Sequence, residues 1–208
     1  MTHVLDVLGD DVARAMSALS SPTRFVLLMV AAQAPRSIEA LAEQTGLSPA
    51  LVSHHLKVLR AAGLLHASKH GREVRHTLPP EAARLVAAVV EFTWSASPHL
   101  REAAEAYSSE ALTEAPADAL IIDVRAPEEH AWAHLPGSVS VPLAELMTWM
   151  PPENQAVVCH GRGRFCPLAE RAVQVLRARG VDARRLAAGV VDWAAARVRV
   201  EGDVEGLE

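Results

Sequence analysis

The chain has 208 residues, 50% hydrophobic and 22% charged, with a formal net charge of −5 at pH 7. That composition belongs to a globular protein with chain enough for one or two cores, and it excludes a largely disordered or collagen-like chain. The longest apolar runs, such as 25–34, fall far short of the roughly 18 residues a membrane span needs, and the acidic start carries no cationic leader, so a cytoplasmic location with no membrane partner is expected. Two cysteines, Cys159 and Cys166, are too few for a secreted disulfide scaffold, so a thiol here is expected to be reactive rather than structural.

Charge is unevenly placed. Residues 1–100 sum to +1 and residues 101–208 to −6, which points to two units with different partners. Within 50–78, Lys57, Arg60, Lys69, Arg72 and Arg75 face Glu73 alone, and His54, His55, His66, His70 and His76 join them. A basic cluster is more often a solvated face than a binding surface, so its placement decides.

In chain order, Leu5, Leu8, Val12, Met16 and Leu19 recur at helical spacing and predict a first helix. Ser21-Pro22 offers a cap followed by proline at the first helical position. Ser37 opens the helix SIEALAEQT and Gly46 closes it; Ser48-Pro49 repeats the cap, and the next helix runs to Gly63. The turn 45–48 is too short for antiparallel packing without strain, so the two helices should cross steeply as a helix-turn-helix. In the second of them Leu51, Val52, Leu56 and Leu59 form an apolar stripe, with Ser53, His54, Lys57 and Arg60 on the other side. Ser and His there can meet base edges while Lys57 and Arg60 suit phosphates. LLHASKHGREVRHTL then reads as two short strands about a His70-Gly71 turn, a wing carrying Lys69, Arg72 and Arg75.

The pieces LSSPTR, LAEQTGLS, VSHHLKVLRAAGLL and HGREVRHTL stand in the order and spacing of the winged-helix domain of ArsR-type bacterial repressors, which residues 1–95 resemble. The resemblance implies a homodimer joined by the first and last helices, here Leu5–Leu19 and Glu81–Trp94, and an operator of inverted half-sites in double-stranded DNA. It adds Ser48 at the head of the recognition helix to the DNA-contacting candidates Ser53, His54, Lys57, Arg60, Lys69, Arg72 and Arg75. Metal sensors of this family place cysteines before the recognition helix or Asp/His pairs along the last helix. SIEALAEQ has no cysteine and EAARLVAAVVEFTW no histidine, so no metal and no cofactor is expected.

Residues 96–118 are small and polar around LREAAEAY and read as a helical linker. Beyond it, strands at 119–124, 138–141, 156–160 and 182–186 alternate with helices at 143–149, 167–179 and 189–196, the pattern of a parallel α/β sheet. The runs IIDVRAPEEHAWAHLPGSVSVPLAEL, AVVCHGRGRFCPLAERAVQVLRARG and RRLAAGVVDW resemble a rhodanese domain, giving 119–205 as the second domain of a two-domain protein. In that family a cysteine ends the central strand in a loop of inward-pointing amides capped by a helix N-terminus, where it can hold a persulfide.

Two registers place the nucleophile slot. Laid without gaps on the Tyr-Cys-Arg-Gly pattern of repressor-rhodanese fusions, the slot falls on Gly161, with Cys166 as the second cysteine. The alternative puts Cys159 in the slot but leaves the next helix too long before Gly180, so the Gly161 register is preferred. Cys166 is then the candidate reactive thiol and Cys159 the alternative nucleophile, in an anion- or sulfur-binding pocket of Asp123, Arg125, Gly161, Arg162, Gly163, Arg164 and Phe165. Arg162 and Arg164 should add positive charge, and with glycine in the slot, sulfurtransferase turnover is doubtful. The leading reading is a transcriptional repressor with a sensory rhodanese-like domain for a sulfur species, oxidant or oxyanion. The competing readings are a thiosulfate or persulfide sulfurtransferase or arsenate-handling enzyme carrying a winged helix, and a partner-binding module.

Overall fold

Serine caps set the helices of the first of two units, Met1–Ala82 and Ala83–Glu208. The structure is a computed structural model that describes residues 2–97, 109–110, 118–164, 166–196 and 199–203. Helix α1 (Thr2–Leu19) is followed by α2 (Pro22–Ala31), α3 (Ile38–Thr45) and α4 (Pro49–Ala61). The Ser21, Ser37 and Ser48 hydroxyls accept from the amides of Arg24, Ala40 and Leu51 at 3.4, 3.2 and 3.3 Å, satisfying amides that the helices themselves leave open. Gly46 ends α3 in the left-handed region (φ 71°), a conformation costly for any residue with a Cβ. Leu27, Leu28, Leu41, Val52, Leu56 and Leu59 bury the faces these helices share.

Strands β1 (His66–His70) and β2 (Glu73–Thr77) pair antiparallel, with His70 opposite Glu73 at the Gly71 turn. Arg36 and His76 exchange backbone hydrogen bonds of 3.1 and 2.8 Å, tying the base of this wing to the entry of α3. Helix α5 (Pro80–Ala96) follows.

In the second unit β3 (Ser109–Glu110), β4 (Leu120–Asp123), β5 (Val139–Ser140), β6 (Val157–His160) and β7 (Ala183–Leu186) form one parallel sheet in the order β3-β7-β6-β4-β5. Helices α6 (Pro127–Trp132), α7 (Pro167–Ala178) and α8 (Val190–Ala196) connect them. Central β6 is buried along its length and feeds both faces in alternation. Val157 and Cys159 join Ile122, Ala172 and Leu176 on one side, and Val158 joins Leu135, Leu186 and Trp193 on the other.

The expected strands and helices of this unit are in place with one exception. The helix expected at 143–149 is a run of turns closed mainly by bonds three residues apart, such as the Leu146 amide to Leu143 and the Thr148 amide to Glu145. The stretch is hemmed between Pro142 and Pro151 and leaves Met147 67% exposed, so it gains too little burial to stabilise a second helical turn. A two-residue strand, β3, stands inside the stretch expected as linker, while LREAAEAY lies outside the described residues. Among the described residues no helix is long and apolar enough to cross a membrane.

Candidate functional site

Two places carry chemistry. In the first unit α4 buries Val52, Leu56 and Leu59 and turns Ser53, His54, Lys57 and Arg60 to solvent. Ser48 is exposed, its hydroxyl capping α4, and the His54 ring meets His55 edge to face at 5.6 Å. β1 is exposed throughout, so Lys69 stands clear of the body, as does Arg72 in the turn. Arg75 differs: its guanidinium is 3.2 Å from the Glu73 carboxylate on the same wing strand. Among the described residues no carboxylate pairs with Lys57, Arg60, Lys69 or Arg72.

In the second unit the loop 160–166 leaves the end of β6 and enters α7. Cys166 is partly exposed and occupies the N-cap, its amide donating to the Gly163 carbonyl at 3.0 Å. A Cβ built on Gly161 would stand 3.5 Å from both the Ala169 amide nitrogen and Cys166 Sγ. Gly161 is therefore packed against the start of α7, the end of a helix that favours negative charge. Cys159 has no exposed surface, and burial pushes its thiol up to about 12. It is a core residue, with neither the exposure nor the thiolate that a nucleophile needs. Phe165 lies outside the described residues.

The charges around this loop are turned on one another. Asp123 and Arg125 have no exposed side-chain surface and meet at 2.7 Å, and Arg125 also donates to the carbonyls of Glu129 and Ala133. Burial alone would raise the Asp123 carboxyl; the Arg125 fork, with His160, outweighs it and holds the carboxyl below its usual value. The two residues brace the wall from behind rather than presenting donors to a ligand. Arg162 and Arg164, expected to add positive charge, are each offset: Arg162 pairs with buried Glu129 at 3.0 Å and Arg164 with Glu91 of α5 at 3.0 Å.

Several residues that shape this site give no local sign in the sequence. Glu129 stands three residues after Ala126, and its carboxylate accepts from the Ala126 amide as well as from Arg162, the one half of a capping box that sequence could have suggested. Arg185, buried on β7, donates to the carbonyls of Gly163 and Arg164 and so fixes the loop backbone from below. Gly189 allows α8 to approach the loop, since a Cβ there would come within 2.5 Å of the Gly163 nitrogen. His160 is fully buried, 3.7 Å from Asp123 and edge-on to Trp193 at 5.1 Å; burial holds its pKa down to about 4.

Residues 21–67 match the family described as bacterial regulatory protein, arsR family, and residues 105–196 match the rhodanese-like domain. The HTH-type transcriptional regulator Rv0324 of Mycobacterium tuberculosis is 30% identical over 93% of this chain and 92% of its own length. Two other regulators of that organism are similar over the first unit: the repressor SmtB is 32% identical over 36% of this chain and 53% of its own, and NmtR 36% over 32% and 56%. A solved winged helix-turn-helix DNA-binding domain from Mycobacterium bovis is 32% identical, with a TM-score of 0.44 over 45% of this chain and 88% of that one. The chain thus belongs to the ArsR-type HTH transcriptional regulators, DNA-binding regulators, and carries a rhodanese-like domain after its winged helix.

Proposed function

We propose that the chain is a cytoplasmic, homodimeric repressor that reads an inverted-repeat operator with α4 and the wing and receives its signal at the rhodanese-like loop. The observation that carries the reading is the exposed array of Ser53, His54, Lys57, Arg60, Lys69 and Arg72 on a helix-turn-helix with a projecting wing. Cations without internal partners are what a phosphate backbone requires, because each phosphate contact releases a counterion. Exposed apolar side chains on α1 (Val12, Met16) and α5 (Phe92, 72% exposed) support a dimer built on these two helices. Residues 1–95 then bind DNA and dimerise, 96–118 link, and 119–205 take the input.

The input is a sulfur species, oxidant or oxyanion acting at Cys166. Its thiolate attacks the outer sulfur of a small persulfide, a new S–S bond forms as the old one breaks, and the donor leaves as a thiolate. The sulfurtransferase alternative is disfavoured by glycine in the slot itself, since a persulfide then forms only on Cys166 at the N-cap of α7, where it serves as a signal. A titration against DNA decides the binding part: an inverted pair of half-sites about one helical turn apart should bind far more tightly than a single half-site. Equal affinity for both would overturn the dimeric reading.

A further inference from the structure

A groove of about 410 Å³ lies in the first unit between α1 and α4. Its lining is mostly apolar, with Ala18 buried, Val58 and Ala62 half-buried and Ala61 exposed, and Arg14, Ser17, His54 and Lys57 complete it. That volume falls within the roughly 300–1,000 Å³ of small-molecule sites, and a mostly apolar lining with a few convergent polar groups is the composition of such sites. The walls are held in place: Arg24 of α2 donates to the carbonyls of Ala18 and Ser17 at 2.6 and 2.7 Å, clamping the last turn of α1. Arg14 has Asp11 as a neighbour at 3.8 Å, with both side chains more than half exposed, so that pair is weak enough to yield to a ligand.

We infer that this groove binds an organic anion with an apolar body, such as an aromatic or branched carboxylate or sulfonate, and that its binding excludes DNA. Among the described residues the lining holds Arg14 and Lys57 and no carboxylate, which sets the sign of the ligand. The apolar part of the lining sets its body, since a phosphodiester gains nothing from four apolar residues. Exclusion follows from shared residues: His54 and Lys57 belong both to the lining and to the exposed face of α4. The site would give the regulator a second input that needs no thiol, and it rests on the DNA-binding reading only for its consequence.

The test uses the full chain and the fluorescent sulfonate anilinonaphthalene sulfonate as probe, with a duplex selected in vitro from a random pool. The expected result is saturable binding of one probe per chain, displaced by the duplex. Arg14→Glu and Ala61→Glu, both at exposed positions, should weaken the probe about two- to fivefold or more, while Met147→Gln, on an exposed apolar residue of the other unit, leaves it unchanged. Equal probe affinity in the Arg14 and Ala61 variants would overturn the site, as would probe and duplex bound together. A wild-type chain that binds no probe, with Arg14→Glu lowering only the salt dependence of duplex binding, would show a phosphate contact in its place. Duplex binding measured without probe reports separately on the DNA reading.

Discussion

The two units handle charge in opposite ways. In the winged helix, Lys57, Arg60, Lys69 and Arg72 face solvent without carboxylate partners among the described residues, while around the rhodanese-like loop Arg125, Arg162 and Arg164 are each engaged by an acid of the same unit. Exposed cations contribute almost nothing to folding and are free to meet a polyanion; the buried acids Asp123 and Glu129 fix Arg125 and Arg162 in a wall, and exposed Glu91 offsets Arg164 at the surface. The second unit therefore cannot attract an anion by these arginines alone. What remains is the start of α7 and the Cys166 thiol at its N-cap.

The largest expected effect comes from removing one partner of the buried Asp123–Arg125 pair. Arg125→Met leaves Asp123 buried and uncompensated and should destabilise the second unit by about 3–5 kcal/mol, whereas Lys57→Ala should change stability by less than about 0.5 kcal/mol. Urea unfolding followed by tryptophan fluorescence reads the second unit, because Trp94, Trp132, Trp149 and Trp193 all lie in it. Equal effects of the two substitutions would contradict the assignment of brace and interface.

Acid should act on the same brace. Folding holds His160 down to about 4, so as the pH falls below about 6.5 the unfolded chain takes up the proton first, and stability is lost progressively toward pH 4. Asp123, held below its usual value, contributes stability at neutral pH that is lost as the pH falls through the carboxylate range. Both effects have the same sign. His160→Gln should flatten the loss between pH 6.5 and 4, read as the pH dependence of the urea midpoint; an unchanged slope would show that the ring is not the group titrating.

Smaller effects sharpen the DNA side. Lys57→Ala, Lys69→Ala and Arg72→Ala should each reduce the salt slope of DNA binding by about one counterion. Arg75→Ala should do less, because Glu73 already holds that guanidinium. His54→Ala should alter base preference rather than slope. On the loop, thiosulfate-to-cyanide turnover should be weak or absent, and Gly161→Cys, whose Cβ meets only ordinary contacts, is the gain-of-function trial.

Most helix ends were legible because serine caps, Pro at the first position and Gly46 act locally, and the wing because its strands flank a glycine turn. The turns at 143–149 were not: Leu143, Leu146 and Trp149 carry a helical period, but prolines on both sides and solvent at Met147 decide against it. β3 has no apolar pattern, and its pairing with β7 is a backbone event. At the loop, the register that puts Gly161 in the slot stands as an expectation, and the Glu129–Arg162 pair and the Arg185 contacts join residues 33 and 21 or more positions apart and leave no periodic trace. The positive charge expected from Arg162 and Arg164 failed for that reason, since their partners come from elsewhere in the chain.

The central claim, that a thiol on the loop governs a DNA-binding surface, is tested most directly by operator titration of the reduced chain and the chain treated with a small persulfide, for the wild type and for Cys166→Ser. Treatment should change the affinity of the wild type by about 5- to 150-fold, the usual range of coupling between two sites, and leave that of Cys166→Ser unchanged. Affinities within twofold of the reduced wild type after persulfide, peroxide and oxyanion treatment alike would contradict it.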